Sequence, residues 1–117
     1  MKNTQPIKLN RDFRRLYRVG KSVAGGYVVV YMKPNKRGVN RVGFAVGKQL
    51  GNAVSRNRAK RLMRESYRAL EERLTGTSDM IIVARNRAAG RAYSEILKDL
   101  TYALRALELL GGDNNND

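Results

Sequence analysis

The 117-residue chain has no cysteine, no histidine and only 10 aspartates and glutamates. Without cysteine there can be no disulfides, thiolate metal sites or cysteine nucleophile. Without histidine the commonest general base and metal ligand is missing, so catalysis by this chain alone would rest on a few scattered carboxylates. No apolar run approaches the roughly 20 residues needed to span a bilayer, and the opening MKNTQPIK has no signal-peptide core. The expectation from these absences is a cytoplasmic protein with no membrane role.

What is abundant is positive charge. There are 24 lysines and arginines, giving a formal charge of +14 and a pI near 10.8. Self-repulsion of that size calls for a polyanionic partner, and nucleic acid is the obvious class. The length is that of one domain over residues 1–117, with a single modest core.

The charge concentrates in Gly51 to Arg68, GNAVSRNRAKRLMRESYR. Apolar spacing predicts a helix from about Ala53 to Leu74, stopping at Gly76. At about 100° per residue, Asn57, Lys60, Arg61, Arg64 and Arg68 share roughly one quadrant of the wheel, with Arg56 and Arg58 beside them. Leu62, Met63, Tyr67, Leu70 and Leu74 cluster elsewhere. An ordinary solvated helix interleaves both signs, whereas Glu65, Glu71 and Glu72 sit mostly aside from this stripe, so phosphate binding is the favoured reading. Asn57 adds little electrostatically. Its amide implies either a directed hydrogen bond to RNA or a capping contact at the helix start.

Other elements follow from period and punctuation. Asn10 to Val19 reads as a helix capped by Asn10 and stopped by Gly20, with Phe13, Leu16 and Tyr17 on one side and Arg11, Arg14, Arg15 and Arg18 between them. Leu16 suits core packing; Phe13 and Tyr17, at i and i+4, suit both packing on a sheet and stacking on bases. Tyr27–Lys33 and Arg41–Val46 read as strands around the turn PNKRGVN, and Asp79–Ala84 as another. In the second strand Val42, Phe44 and Val46 alternate with Gly43, Ala45 and Gly47, a small face open to a helix or to a ligand backbone. After the basic link RNRAAGR, Ser94 can cap a last helix with Ile96, Leu97, Leu100, Ala103, Leu104, Leu107 and Leu110 inward, ended by Gly111 and Gly112. The expected ordered core is 7–110, with 111–117 a disordered tail. The order helix, strand, strand, helix, strand, helix predicts an α+β sandwich around a mostly antiparallel sheet of about four strands, with room for a short strand near Ser22 and Val23.

The string KQLGNAVSRNRAKRLMRES, with DFRRLYRVGKS, RVGFAV and MIIVAR in the same order, resembles the bacterial ribonuclease P protein family over about Ile7 to Leu110. Gly47 and Gln49 depart from the serine and lysine common there, which slightly weakens the charge at the turn. The resemblance implies a left-handed crossover in the fold and an accessory subunit of the enzyme that removes the 5′ leader from precursor tRNA, with hydrolysis done by an RNA subunit. It implies a leader groove of Phe13, Tyr17 and Tyr31, and RNA contacts from Arg56, Asn57, Arg58, Lys60, Arg61, Arg64 and Arg68, supported by Lys48, Arg11 and Arg14. Mg²⁺ would be held mainly by RNA, with no metal and no small-molecule substrate on the protein. The partners would be the RNA subunit and precursor tRNA. A ribosomal or other structural RNA-binding protein is the alternative. A nuclease acting without RNA lacks paired carboxylates, and a DNA binder would need the basic helix free for a major groove.

Overall fold

The computed structural model describes residues 3–111; the expected tail at 112–117 lies outside them. Five strands and three helices follow in the order β1 (Thr4–Pro6), α1 (Asn10–Val19), β2 (Lys21–Ala24), β3 (Val28–Pro34), β4 (Asn40–Val46), α2 (Ala53–Leu70), β5 (Ser78–Ala84) and α3 (Tyr93–Ala106). They form one sheet in the order β1-β4-β5-β3-β2. The α+β class is as expected, but the sheet has one strand more than the count of about four, and it is mixed. β3 pairs antiparallel with β2 and β5, while β4 runs parallel to both β1 and β5.

The extra strand is β1, whose sequence TQP carries no strand signature. Tertiary contacts make it. Thr4 Oγ1 donates to Glu71 Oε2 and shares a hydrogen bond with the Tyr67 hydroxyl at 2.8 Å, the Asn3 N–H also reaches Glu71, and Ile7 is buried just beyond. Pro6 is tolerated because this is an edge strand. The short strand expected near Ser22 and Val23 is β2.

Period two decides what each sheet face touches. Val28, Val30 and Met32 of β3, Val42 and Phe44 of β4, and Met80, Ile82 and Ala84 of β5 point to one side, where Met63, Tyr67 and Leu70 of α2 and Ile96, Leu100 and Leu104 of α3 close the main core. Tyr31, Ile81, Val83 and Ala45 point to the other side, where α1 supplies Leu16 and Phe13. The face of small residues on β4 is therefore filled by a helix of the same chain. A Cβ on Gly43 would lie 2.5 Å from Phe13 Cζ, so only glycine lets that ring rest on the strand.

The helix ends differ from the sequence expectation for local reasons. α2 stops at Leu70 and continues as a single tighter turn, Glu71–Arg73. Leu74 leaves the helix to bridge Leu110, and the Thr75 N–H donates to the Leu109 carbonyl. Asn10 lies inside α1 rather than capping it. Gly20 ends α1 through lack of space, since a Cβ there would be 2.7 Å from the Leu16 carbonyl oxygen and 3.0 Å from that of Met32. α3 begins before Ser94: Glu95 accepts the Ala92 N–H at 3.0 Å and does the capping. It ends at Ala106, so Leu107 and Leu110 pack from the following segment.

Candidate RNA interface

α1 lies across the sheet like a ridge. Phe13 and Leu16 form its underside, and Tyr17, one turn on from Phe13, stands at one flank. Tyr17 meets Tyr31 of β3 edge to face, with ring centroids 4.9 Å apart and planes at 88°. Tyr17 remains 42% exposed. Its hydroxyl is pushed above the usual tyrosine range, first by burial and then by Tyr31, so it stays a neutral donor at physiological pH. The three expected aromatics thus converge, but with divided roles: Phe13 is committed to Gly43, while Tyr17 and Tyr31 offer ring surface. The cleft floor continues along the pairing Val29, Val83 and Ala45, all half-buried. Period two sets Val29 on the face of Tyr31 and Ala45 on the small face of β4; sequence reasoning missed Val83 and the lateral alignment of the three, because the parallel pairing of β4 with β5 is not a local signal.

The basic helix packs on the opposite sheet face. Gly51, with φ of 143°, makes the turn into α2, and Asn52 caps it by accepting the Ser55 N–H at 2.9 Å. Asn57 therefore does not cap; it is exposed, as are Arg61 and Arg68, while Arg56, Arg58, Lys60 and Arg64 are half-buried. Arg56 Nη1 donates to the Gly51 carbonyl at 2.7 Å, and Arg58 Nη1 to the Arg91 carbonyl at 3.1 Å. Arg56 is thereby tied to the entrance of α2, and Arg58 to the link that precedes α3. Arg64 lies over the Phe44 ring, 5.5 Å from its centroid, where cation–π attraction orders it without removing its charge. Lys48 is exposed on the turn Lys48–Leu50 that precedes α2, and Arg11 and Arg14 are exposed on α1.

Cleft and helix meet around β4. β1 covers that strand only through Val42, with the Ile7 N–H donating to the Val42 carbonyl. The stretch Gly43–Val46 is left as the sheet edge, with Ala45 toward the cleft and Phe44, under Arg64, toward α2. A flexible polyanion rounding this edge can touch the tyrosines on one side and the guanidinium groups on the other.

The carboxylates do structural work. Asp79 accepts from Arg41 at 2.9 and 2.7 Å and from Asn35 at 2.8 Å. Asp99 takes the N–H groups of Gly26, Tyr27 and Val28, and Glu71 holds Thr4. Among the described residues no cluster of three Asp, Glu, His or Cys side chains is placed to hold a metal, and no helix is long and apolar enough to cross a membrane.

A small mixed sheet with one exposed and one half-buried tyrosine beside a flank of a helix, and a cationic helix behind, is the build of a protein that grips a flexible, base-bearing polyanion. The ribonuclease P family model matches residues 1–108. The chain is 37% identical over 110 residues to the ribonuclease P protein component of Alkaliphilus metalliredigens, covering 94% of this chain and 99% of that one. It is 39% identical over 117 residues to that of Listeria innocua, covering 99% and 98%. A Staphylococcus aureus RNase P protein mutant superimposes with a TM-score of 0.83 at 37% identity, covering 90% of this chain and 89% of that one. The RNase P protein of Thermotoga maritima does so with 0.76 at 25%, covering 84% and 93%.

The chain belongs to the ribonuclease P protein family. It is the accessory protein subunit of the endoribonuclease that processes the 5′ end of tRNA, and its partner is the RNA subunit. The ribosomal alternative gives way to this assignment.

Proposed function

We propose that the Tyr17–Tyr31 cleft holds the single-stranded 5′ leader of precursor tRNA while the exposed face of α2 contacts RNA close to the scissile bond. The observation that carries this reading is the edge-to-face tyrosine pair standing open beside one flank of α1. Unpaired bases stack on such rings with little regard to sequence, at roughly 1–3 kcal/mol per base. The larger contribution is electrostatic. Neutralising several phosphates changes affinity by about a thousandfold over a modest salt range. Asn57, Lys60, Arg61, Arg64 and Arg68 supply that stripe, with Arg56 and Arg58 at its entrance and Lys48, Arg11 and Arg14 extending it. Asn57, uncharged and exposed, supplies a directed hydrogen bond.

In this reading the protein does no bond-breaking. Its residues bind and orient the leader, and their charge offsets repulsion between RNA strands so that substrate and Mg²⁺ are retained at physiological salt. The ion is held mainly by RNA, and the assembly works in the cytoplasm. The test compares affinity for 5′-extended precursor and mature tRNA in the holoenzyme carrying Tyr31→Ala. Loss of one stacked base weakens precursor binding by roughly 5- to 150-fold and leaves mature tRNA unchanged. An equal loss for both would remove the leader from this cleft.

A further inference from the structure

α3 buries Ile96, Leu100, Ala103 and Leu104 in the main core. A helix packed on one side ordinarily turns charged and polar residues to solvent on the other. The outer flank of α3 instead carries Tyr93, Leu97, Thr101 and Tyr102, with Lys98 and Arg105 between them, around a groove of about 720 Å³. The groove follows the helix from Tyr93 to Ala106, a length of about 20 Å. Its walls are rings: Tyr93 is 36% exposed and Tyr102 57%, more than the 42% of Tyr17 in the cleft. Its floor is apolar, since the Thr101 hydroxyl is spent on the Leu97 carbonyl at 2.7 Å.

This flank stands apart from the free edge of β4. α2 packs on β4 and β5, whereas α3 packs on β3 and β2, at the other end of the sheet. Lys98 and Tyr102 also line a second cavity of about 450 Å³ together with Tyr27, the residue that leads into β3. The carboxylates of that cavity are committed. Asp99 accepts the N–H groups of Gly26, Tyr27 and Val28 at 2.9, 2.8 and 2.9 Å, and Glu95 caps α3 and lies 3.6 Å from Arg91. Arg91 in turn rests over the Tyr27 ring, 5.2 Å from its centroid. No carboxylate lines the groove among the described residues, and Lys98 forms no ion pair among them.

Chemistry separates the occupants such a groove could take. A second copy would set cation against cation on a chain already at +14. Single-stranded RNA needs a basic track along its backbone, and two cations beside an aliphatic floor do not make one. Tyrosine rings and an arginine around an apolar seat are the composition of protein–protein hot spots, and an edge charged with one sign selects a partner of the other. We propose that the outer flank of α3 docks an acidic amphipathic segment of another protein. Its apolar side chains seat on Leu97 between Tyr93 and Tyr102, and its carboxylates face Lys98. The contact lies on the side of the ribonucleoprotein away from the β4 edge, so RNA at that edge leaves it open.

The experiment pans a phage-displayed library of random peptides on the holoenzyme, in which RNA already covers the basic helix. Enriched peptides are expected to combine Asp or Glu with Leu, Phe or Trp. Their affinity for the holoenzyme, read by fluorescence anisotropy, is expected to fall about tenfold or more with Tyr102→Ala and about tenfold with Lys98→Glu. Both residues are exposed, and unchanged cleavage of precursor tRNA by the two variants verifies that they fold and assemble. A library that yields no binder, or only binders that these variants hold as tightly as wild type, would overturn the proposal. So would ultraviolet cross-linking of Tyr102 to RNA in the holoenzyme–precursor complex, which assigns the flank to RNA, or a dimer in sedimentation that Tyr102→Ala dissolves, which assigns it to a second copy.

Discussion

Glu108 has φ of 61° and is the only non-glycine residue with positive φ among those described. It sits just past α3, where its N–H donates to the Arg105 carbonyl and the Leu109 N–H to that of Leu104, the paired bonds of a Schellman ending. Glycine suits this position. Glu108→Gly is expected to raise stability by about 0.5–1 kcal/mol after glycine's greater backbone entropy is counted, seen as a melting temperature a few degrees higher. A lower one would mean that the Glu108 side chain contributes more than its backbone costs. Tyr67 makes a second residue-scale case. Burial pushes its hydroxyl up to about 12, against a smaller lowering by its hydrogen bond with Thr4, and the charge of Glu71 adds to the rise. The folded state therefore holds this proton more tightly than the unfolded chain, whose tyrosines ionise near 10. The resulting stability is complete below about pH 10 and is lost as pH rises to about 12. Tyr67→Phe should lower stability at pH 8 by removing the Thr4 bond, and should flatten the decline between pH 10 and 12 seen by denaturant titration. An unchanged alkaline decline would contradict the assignment.

At the scale of elements, α2 separates binding from packing. Arg61 is exposed, so Arg61→Ala should reduce the salt slope of RNA binding by about 1 with no change in melting temperature. Arg64→Ala should have a similar effect on the slope and also cost about 0.5–1 kcal/mol of stability through the lost contact with Phe44. Salt titration with thermal melts checks both; wild-type slopes for the two variants would remove α2 from the interface. This helix was legible in sequence because its faces are written in one continuous 3.6-residue period, and the stripe of Phe13, Leu16 and Tyr17 was legible for the same reason. β1 was not: its three residues become a strand only through Tyr67 and Glu71, more than sixty positions away. The ends of α2 and α3 were misplaced because Leu74 and Leu110 meet each other, a pairing that no local pattern announces.

At the scale of the whole molecule, a net charge of +14 on one small domain is spread over both sheet faces, with tyrosines on one and α2 on the other. Such a field favours wrapping by RNA over contact with a flat duplex, and it makes affinity steeply dependent on ionic strength. The class of partner was readable from composition alone. Which surfaces lie together required the sheet order, because the mixed pairing places the tyrosine pair, the free edge of β4 and the basic helix in sequence around one border of the sheet. A protein of this charge is expected to make an RNA-based endonuclease effective under conditions where RNA strands repel. The most direct measurement is cleavage of a 5′-extended precursor tRNA in Mg²⁺ at near-physiological salt by the protein alone, by bacterial ribonuclease P RNA alone, and by both together. Strong cleavage at the mature 5′ end is expected only with both; cleavage by the RNA that is unchanged on adding protein, while the protein still binds it, would rule this role out.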